Sequence, residues 1–175
     1  MDAALGFGHS FEKCPMGGSF WSFFGMFFSV TFASFGSAFG TAKAGAGMAT
    51  GGLINPGPLT KLTLPVIMAG VLSIYGLITM LVINAKVQAY PLGMPLYIGY
   101  AHFAAGICTG LASLSAGLAI GIAGQSASKC VAQQPSLFVV MIIVMIFGEA
   151  LALFGLIVSL LLTSINIDAT ACESL

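Results

Sequence analysis

Residues 137–163 read LFVVMIIVMIFGEALALFGLIVSLLLT: 27 residues with one charge, Glu149, near the centre. As a helix rising about 1.5 Å per residue, the segment is roughly 40 Å long, enough to cross a hydrocarbon core of about 30 Å with some tilt. A carboxylate at that depth costs roughly 2.5–3.5 kcal/mol on insertion scales. Such a residue either packs against a neighbouring helix as a tolerated polar group or marks an ion or proton site. Intramembrane ionisable residues make the second reading the default.

Composition agrees with a membrane setting. The chain is 58% hydrophobic and 6% charged, against about 25% charged in a soluble domain. Mean hydropathy is +1.06. The net charge is zero and the sequence contains no arginine, so a nucleic-acid partner is excluded. Outside the apolar stretches too little chain remains for a soluble catalytic domain, and no catalytic residue is expected. Cys14, Cys108, Cys130 and Cys172 form no CxxC pair, which argues against a zinc site or a disulfide framework. His102 is read as a packed or interfacial residue, not a metal ligand; no metal or other cofactor is expected.

Three further spans precede the quoted one. Residues 1–18 lack the basic start and short apolar core of a cleaved signal and read as an N-terminal tail. A first helix is expected at about 19–47, with Trp21 as an interfacial anchor. The Gly/Pro/Asn stretch at 51–60 turns the chain. A second helix follows at about 61–86, with Pro65 in its first turn and Lys61 and Lys86 as flanking anchors. A third is expected at about 96–124, a polar loop at 125–136, and a fourth helix at about 135–163. Residues 164–175 form a polar tail. Four helices put both termini, with Cys14 and Cys172, on one side. Lys43, Lys61 and Lys129 fall toward the loop side against Lys13 and Lys86 on the other. Lysine bias then predicts cytoplasmic 1–2 and 3–4 loops and lumenal or extracellular termini.

The chain is a tandem duplication. IMAGVLSIYGLITMLVI (67–83) aligns with IFGEALALFGLIVSLLL (146–162) at an offset of 79, and GSAFGTA (36–42) with GLAIGIA (117–123) at an offset of 81. Residues 19–86 and 87–163 are therefore two helical hairpins running in the same direction, a parallel and not an inverted repeat. Glu149 aligns with Gly70, so one hairpin keeps the carboxylate and the other lacks it.

The first and third helices carry small residues at spacings of three and four, among them Gly36 and Gly40, and Gly117 and Gly121. Each set lies on one helical face and permits close backbone approach. These stripes are expected on crowded inner helices of a ring, with the Leu-, Ile-, Val- and Met-rich second and fourth helices forming an outer layer. The fold class is accordingly all-α: four transmembrane helices as two tandem hairpins assembling into a ring. A channel or structural four-helix protein with a buried Glu is the alternative. On its own helix Glu149 has only Met145, Ile146, Ala152 and Leu153 one turn away, all apolar. Ser73, Tyr75 and Thr79 on the second helix are the candidate polar neighbours.

GSAFGTAKAGAGMA (36–49), LPVIMAGVLSIYGLI (64–78), YAHFAAG (100–106), GLAIGIAG (117–124), AQQPSLFV (132–139) and IFGEALALFGLIVSLLL (146–162) together carry a resemblance to a known family. From about Ser22 to Thr163 the chain resembles the proteolipid c subunit of V-type (vacuolar) proton-transporting ATPases. The resemblance implies a homo-oligomeric rotor ring of identical or related subunits, turned by ATP hydrolysis in other subunits. It implies Glu149 as the proton-carrying carboxylate, a stator a subunit supplying an arginine, a central-stalk subunit, surrounding membrane lipid, and an acidic endomembrane (vacuolar or lysosomal) or the plasma membrane as location. A key Glu in the last helix favours the c subunit over its c″ relative. Three positions depart from the family pattern: Gly148 stands where Ser or Ala often precedes the Glu, and Gln125 and Lys129 stand where Asp and Arg are common.

Physical chemistry gives this resemblance a mechanism. Desolvation disfavours a charged carboxylate in lipid, so Glu149 is expected to travel neutral and to ionise only beside a cation that this chain does not supply. One carrier per two hairpins halves the protons moved per turn. The same ATP energy then drives each proton against a steeper gradient, which suits a pump better than a synthase. A sodium site would need several oxygen ligands, and the Glu149 helix offers none.

Overall fold

The computed structural model describes residues 17–57, 59–90 and 94–165. Its elements are α1 (Gly17–Ile54), a single turn α2 (Leu59–Leu62), α3 (Leu64–Gln88), α4 (Leu96–Gln133), a 3₁₀ turn (Pro135–Leu137) and α5 (Phe138–Thr163). Four segments are long and apolar enough to cross a membrane: Gly17–Ile54, Leu59–Gln88, Leu96–Gln133 and Pro135–Thr163. The chain is an integral, multi-pass membrane protein. Glycine-rich α1 and α4 remain helical because lipid offers the backbone no other hydrogen-bond partner.

The inner helices run further than expected. α1 continues seven residues past 47, to Ile54, and α4 continues past 124 to Gln133. At 38 residues each, they are about 57 Å long and project beyond a bilayer core of about 30 Å. The expected loop at 125–136 is therefore helical over most of its length. Its Gln, Ser, Ala, Lys and Val residues are all compatible with a helix, and only Pro135 forces a stop. Proline lacks the N–H and drives the preceding residue into extended backbone; Gln134 sits at φ −136°, ψ 96°. In the first connection, Asn55 Oδ1 accepts the Gly57 N–H at 3.1 Å, the local turn that suits Asn before Pro-Gly. Gly17 and Gly18 belong to α1, not to a tail. Cys14 and Cys172, and the charges Asp2, Glu12, Lys13, Asp168 and Glu173, lie outside the described residues.

α1 and α4 lie parallel and pack most extensively; α3 leans on α1 and α5 on α4, while α3 and α5 touch more lightly. The register is that of the duplication. A methyl group placed on Gly117 would run into the backbone of Gly36, and one on Gly106 into that of Gly25. On Gly36 it would come within 2.6 Å of the Ser113 carbonyl oxygen, and on Gly121 within 2.9 Å of Gly40 Cα. Repeat-equivalent residues thus share one depth.

This packing agrees with the close approach that the stripes predict. The two small-residue faces meet each other inside a single chain, so close packing of α1 on α4 already accounts for them. Phe20, Phe23 and Phe27 on α1 and a broad Leu/Ile/Val/Phe face on α5 are exposed. Trp21, near the start of α1, packs against Tyr100 and Phe103, each at a ring-centroid distance of 5.2 Å.

Candidate functional site

α3 and α5 bring their midpoints together at one depth, and there Glu149 meets Tyr75. The Tyr75 phenol donates to Glu149 Oε1 at 3.3 Å. Glu149 is 9% exposed. It points along α5 toward α3, while Phe147, Leu151 and Phe154 occupy the exposed face of the same helix. Met145 and Ala152, one turn to either side, are fully buried. They join Ala69 and Leu72 of α3 and Ala116 and Ile120 of α4 in one apolar cluster, with Tyr75 packed against it. The carboxyl group is held at an apolar junction of three helices, and among the described residues the Tyr75 hydroxyl is its polar contact.

Glycine makes that junction close. A methyl on Gly148 would stand 2.8 Å from Ile120 Cγ1, and one on Gly155, two turns on, would strike Ala112. Both glycines let α5 lie directly against α4. Ile120 is the residue that the sequence does not single out. One more apolar side chain in an apolar helix carries no signal until the helices are assembled.

The other two candidate neighbours bond elsewhere. The Ser73 hydroxyl donates to the Gly70 carbonyl at 3.0 Å, which Ser37 also approaches at 3.5 Å. Thr79 lies one turn beyond Tyr75 and belongs to a fully buried hydroxyl triad. Its Oγ1 is 3.1 Å from Thr109 Oγ1 and 3.2 Å from Ser159 Oγ. It also lies 3.2 Å from the Tyr75 carbonyl oxygen, and the Thr109 hydroxyl donates to the Gly155 carbonyl at 3.5 Å. The triad ties α3, α4 and α5 together on the terminal side of Glu149.

Gly70 is the repeat partner of Glu149, and nothing lies within 4 Å of the position a methyl would take there. The site is built around only one of the two equivalent positions. Lys43 lies within α1, its Nζ 5.8 Å from the Phe39 ring, and Lys61 sits 5.4 Å from the Phe138 ring. His102 is packed, 1% exposed, with Nδ1 3.0 Å from Ser22 Oγ. Among the described residues no cluster of three or more His, Cys, Asp or Glu side chains forms. The arrangement can hold and release one proton on Glu149; it presents no nucleophile–base pair.

Known proteins share this pattern. The family model for the C subunit of ATP synthase matches twice, over residues 24–83 and 103–162. The two matched segments begin and end 79 residues apart, the offset that pairs Gly70 with Glu149. A V-type proton ATPase 16 kDa proteolipid subunit from Chrysotila carterae is 46% identical over 156 residues, 87% of this chain and 95% of the relative. The c subunit of the V-type proton ATPase from Schizosaccharomyces pombe (strain 972 / ATCC 24843) is 44% identical over 163 residues, 93% of this chain and 99% of the relative.

Proposed function

The chain belongs to the ATP synthase C subunit family, and on that footing we propose that it is the proton-carrying rotor subunit of a V-type, ATP-driven proton pump. The observation that carries the reading is Glu149: one carboxylate at the middle of a membrane-spanning helix, nine-tenths buried and bonded to the Tyr75 hydroxyl. The subunit hydrolyses nothing itself; ATP is consumed elsewhere in the complex.

The carrier works through the cost of charge in lipid. Protonated, Glu149 is a neutral acid that the Tyr75 phenol and the apolar junction accommodate. Ionised, it needs water or a nearby cation. With no arginine in the sequence, the cation comes from a stator subunit that the ring turns past. A proton loaded from one aqueous side travels with the ring as part of the neutral carboxyl group. It leaves on the other side, where the stator cation stabilises the carboxylate.

Several copies form the ring, and a central stalk turns it. The exposed flank of α1 and α3 beside Phe23, Phe27 and Met80 is one face for a neighbouring copy; the α4–α5 flank beside Ala123, Ala127 and Val144 is the other. These surfaces differ, so the contact is heterologous and closes by rotation. The 1–2 and 3–4 connections face the cytoplasm, and protons are delivered to the lumen of an acidic compartment or out of the cell.

Glu149→Gln tests the proposal. The amide keeps size and hydrogen bonding but cannot carry the proton. Assembled complexes bearing it should show no ATP-driven acidification of vesicles. Acidification at the wild-type rate would sink the reading.

A further inference from the structure

We propose that Gly148 and Ile120 act as a positioning pair for Glu149, setting the α4–α5 distance at which the Tyr75 phenol reaches the carboxyl group. The inference rests on Glu149 being the proton carrier and adds what holds it in place.

The geometry is tight on both sides. A methyl on Gly148 would lie 2.8 Å from Ile120 Cγ1 and 3.5 Å from its Cδ1. Ordinary contact begins near 3.4 Å, so α5 would have to move by about 0.6 Å or Ile120 would have to yield. Ile120 has nowhere to go. It is 1% exposed and wedged among Ala69 and Leu72 of α3 and Met145 and Ala152 of α5. Its β-branch also stiffens χ1. The displacement therefore falls on α5, and Glu149, the next residue, moves with it. Tyr75 is on α3 and does not follow. The O···O separation of 3.3 Å is already beyond the usual 2.5–3.0 Å range for hydroxyl donors, so there is no slack in the bond for an α5 shift that lengthens it. Glycine at 148 and isoleucine at 120 are a matched pair.

The test uses whole complexes in native vesicles and reads the rate at which a lipid-soluble carbodiimide modifies Glu149. Once the phenol no longer holds it, the carboxyl group turns outward and reacts faster. Gly148→Ala should raise the rate several-fold and reduce ATP-driven acidification. Adding Ile120→Ala, which removes the atoms that the new methyl meets, should bring both back toward wild type. Unchanged labelling in Gly148→Ala overturns the inference, as does a double variant that behaves like the single one. Gly155→Ala separates positioning from general packing, because it disturbs the same α4–α5 interface two turns away. An equal rise in labelling there would overturn the pair's special role. Should Gly148→Ala fail to assemble, the Gly148→Ala/Ile120→Ala double variant must still assemble and label near the wild-type rate, and its failure to do so overturns the inference. A wild-type complex in which Glu149 resists carbodiimide altogether would instead count against the carrier reading itself.

Discussion

Removing one oxygen atom from Tyr75 should make Glu149 measurably easier to reach. Tyr75→Phe keeps the ring in its place against the Ala69–Ile120–Met145 cluster and deletes only the donor to Glu149 Oε1, 3.3 Å away. A hydrogen bond between neutral groups contributes about 0.5–1.5 kcal/mol net. That is also the work needed to swing a protonated carboxyl group away from the phenol toward a reagent in lipid. Losing about 1 kcal/mol of restraint raises the population of the outward rotamer roughly five-fold, since 1.4 kcal/mol is tenfold in an equilibrium constant. Carbodiimide labelling of Glu149 in assembled complexes should accelerate by about that factor. Ser73→Ala is the matched control. Its hydroxyl donates to the Gly70 carbonyl at 3.0 Å, so labelling should stay at the wild-type rate. Equal rates for Tyr75→Phe and wild type would refute the claim that the phenol restrains the carboxyl group. Acceleration by Ser73→Ala would show that the relevant neighbour had been misidentified.

Two further expectations concern the frame around the site. Thr79→Val keeps the shape of the side chain but strips the buried triad of its central hydroxyl, leaving Ser159 without that partner; a buried polar group left unpaired costs about 1–3 kcal/mol. The detergent-solubilised protein should lose thermal stability, as read by the temperature at which half of it aggregates, and Thr79→Ser should regain most of the loss. Cys130 is exposed near the end of α4 on the side of the 3–4 connection. With Cys14, Cys108 and Cys172 replaced by Ser, a membrane-impermeant maleimide should label it only in vesicles whose cytoplasmic face is outward, and labelling from the opposite face would reverse the proposed orientation.

What can be read in the sequence is what depends on local composition. A charge-free apolar run identifies a span whatever it packs against, and Glu149 stands out because nothing around it in sequence is polar. The duplication is legible because GLI at 76–78 and 155–157 repeats the same residues in the same setting. Where the helices stop is harder. Residues 125–133 are polar enough for a loop but hold no helix breaker before Pro135, so α4 simply continues into the aqueous phase. Three hydroxyl-bearing side chains on one helix are candidate neighbours of Glu149, and only Tyr75 reaches it. Ser73 is two residues from Tyr75 on the same helix and so projects along a different face, toward Gly70. Thr79 does share the face of Tyr75, but it is one turn along and too short to span the gap. It finds Thr109 and Ser159 instead. Ile120 is invisible for the opposite reason: its importance comes from the atoms that surround it.

The Gly70–Glu149 asymmetry acquires a structural counterpart in these contacts. Replacing one carboxylate by glycine would remove a carrier and nothing else if the two hairpins were otherwise alike. They are not. Tyr75, which donates to Glu149, has Phe154 as its repeat equivalent, and Phe154 is 62% exposed with no hydroxyl to give. The carbonyl of Gly70 is instead approached by the hydroxyls of Ser37 and Ser73. One hairpin therefore supplies the donor and the other the acid, so the site spans the duplication and does not repeat within it. A carrier of this kind cannot be doubled by restoring an acid at position 70 alone, because the matching phenol would also have to be built. With Glu149 as the carrier, one proton per two hairpins is a property fixed at several positions at once. A rotor with that fixed ratio divides the energy of each ATP among few protons, which is the gearing that steep acidification requires.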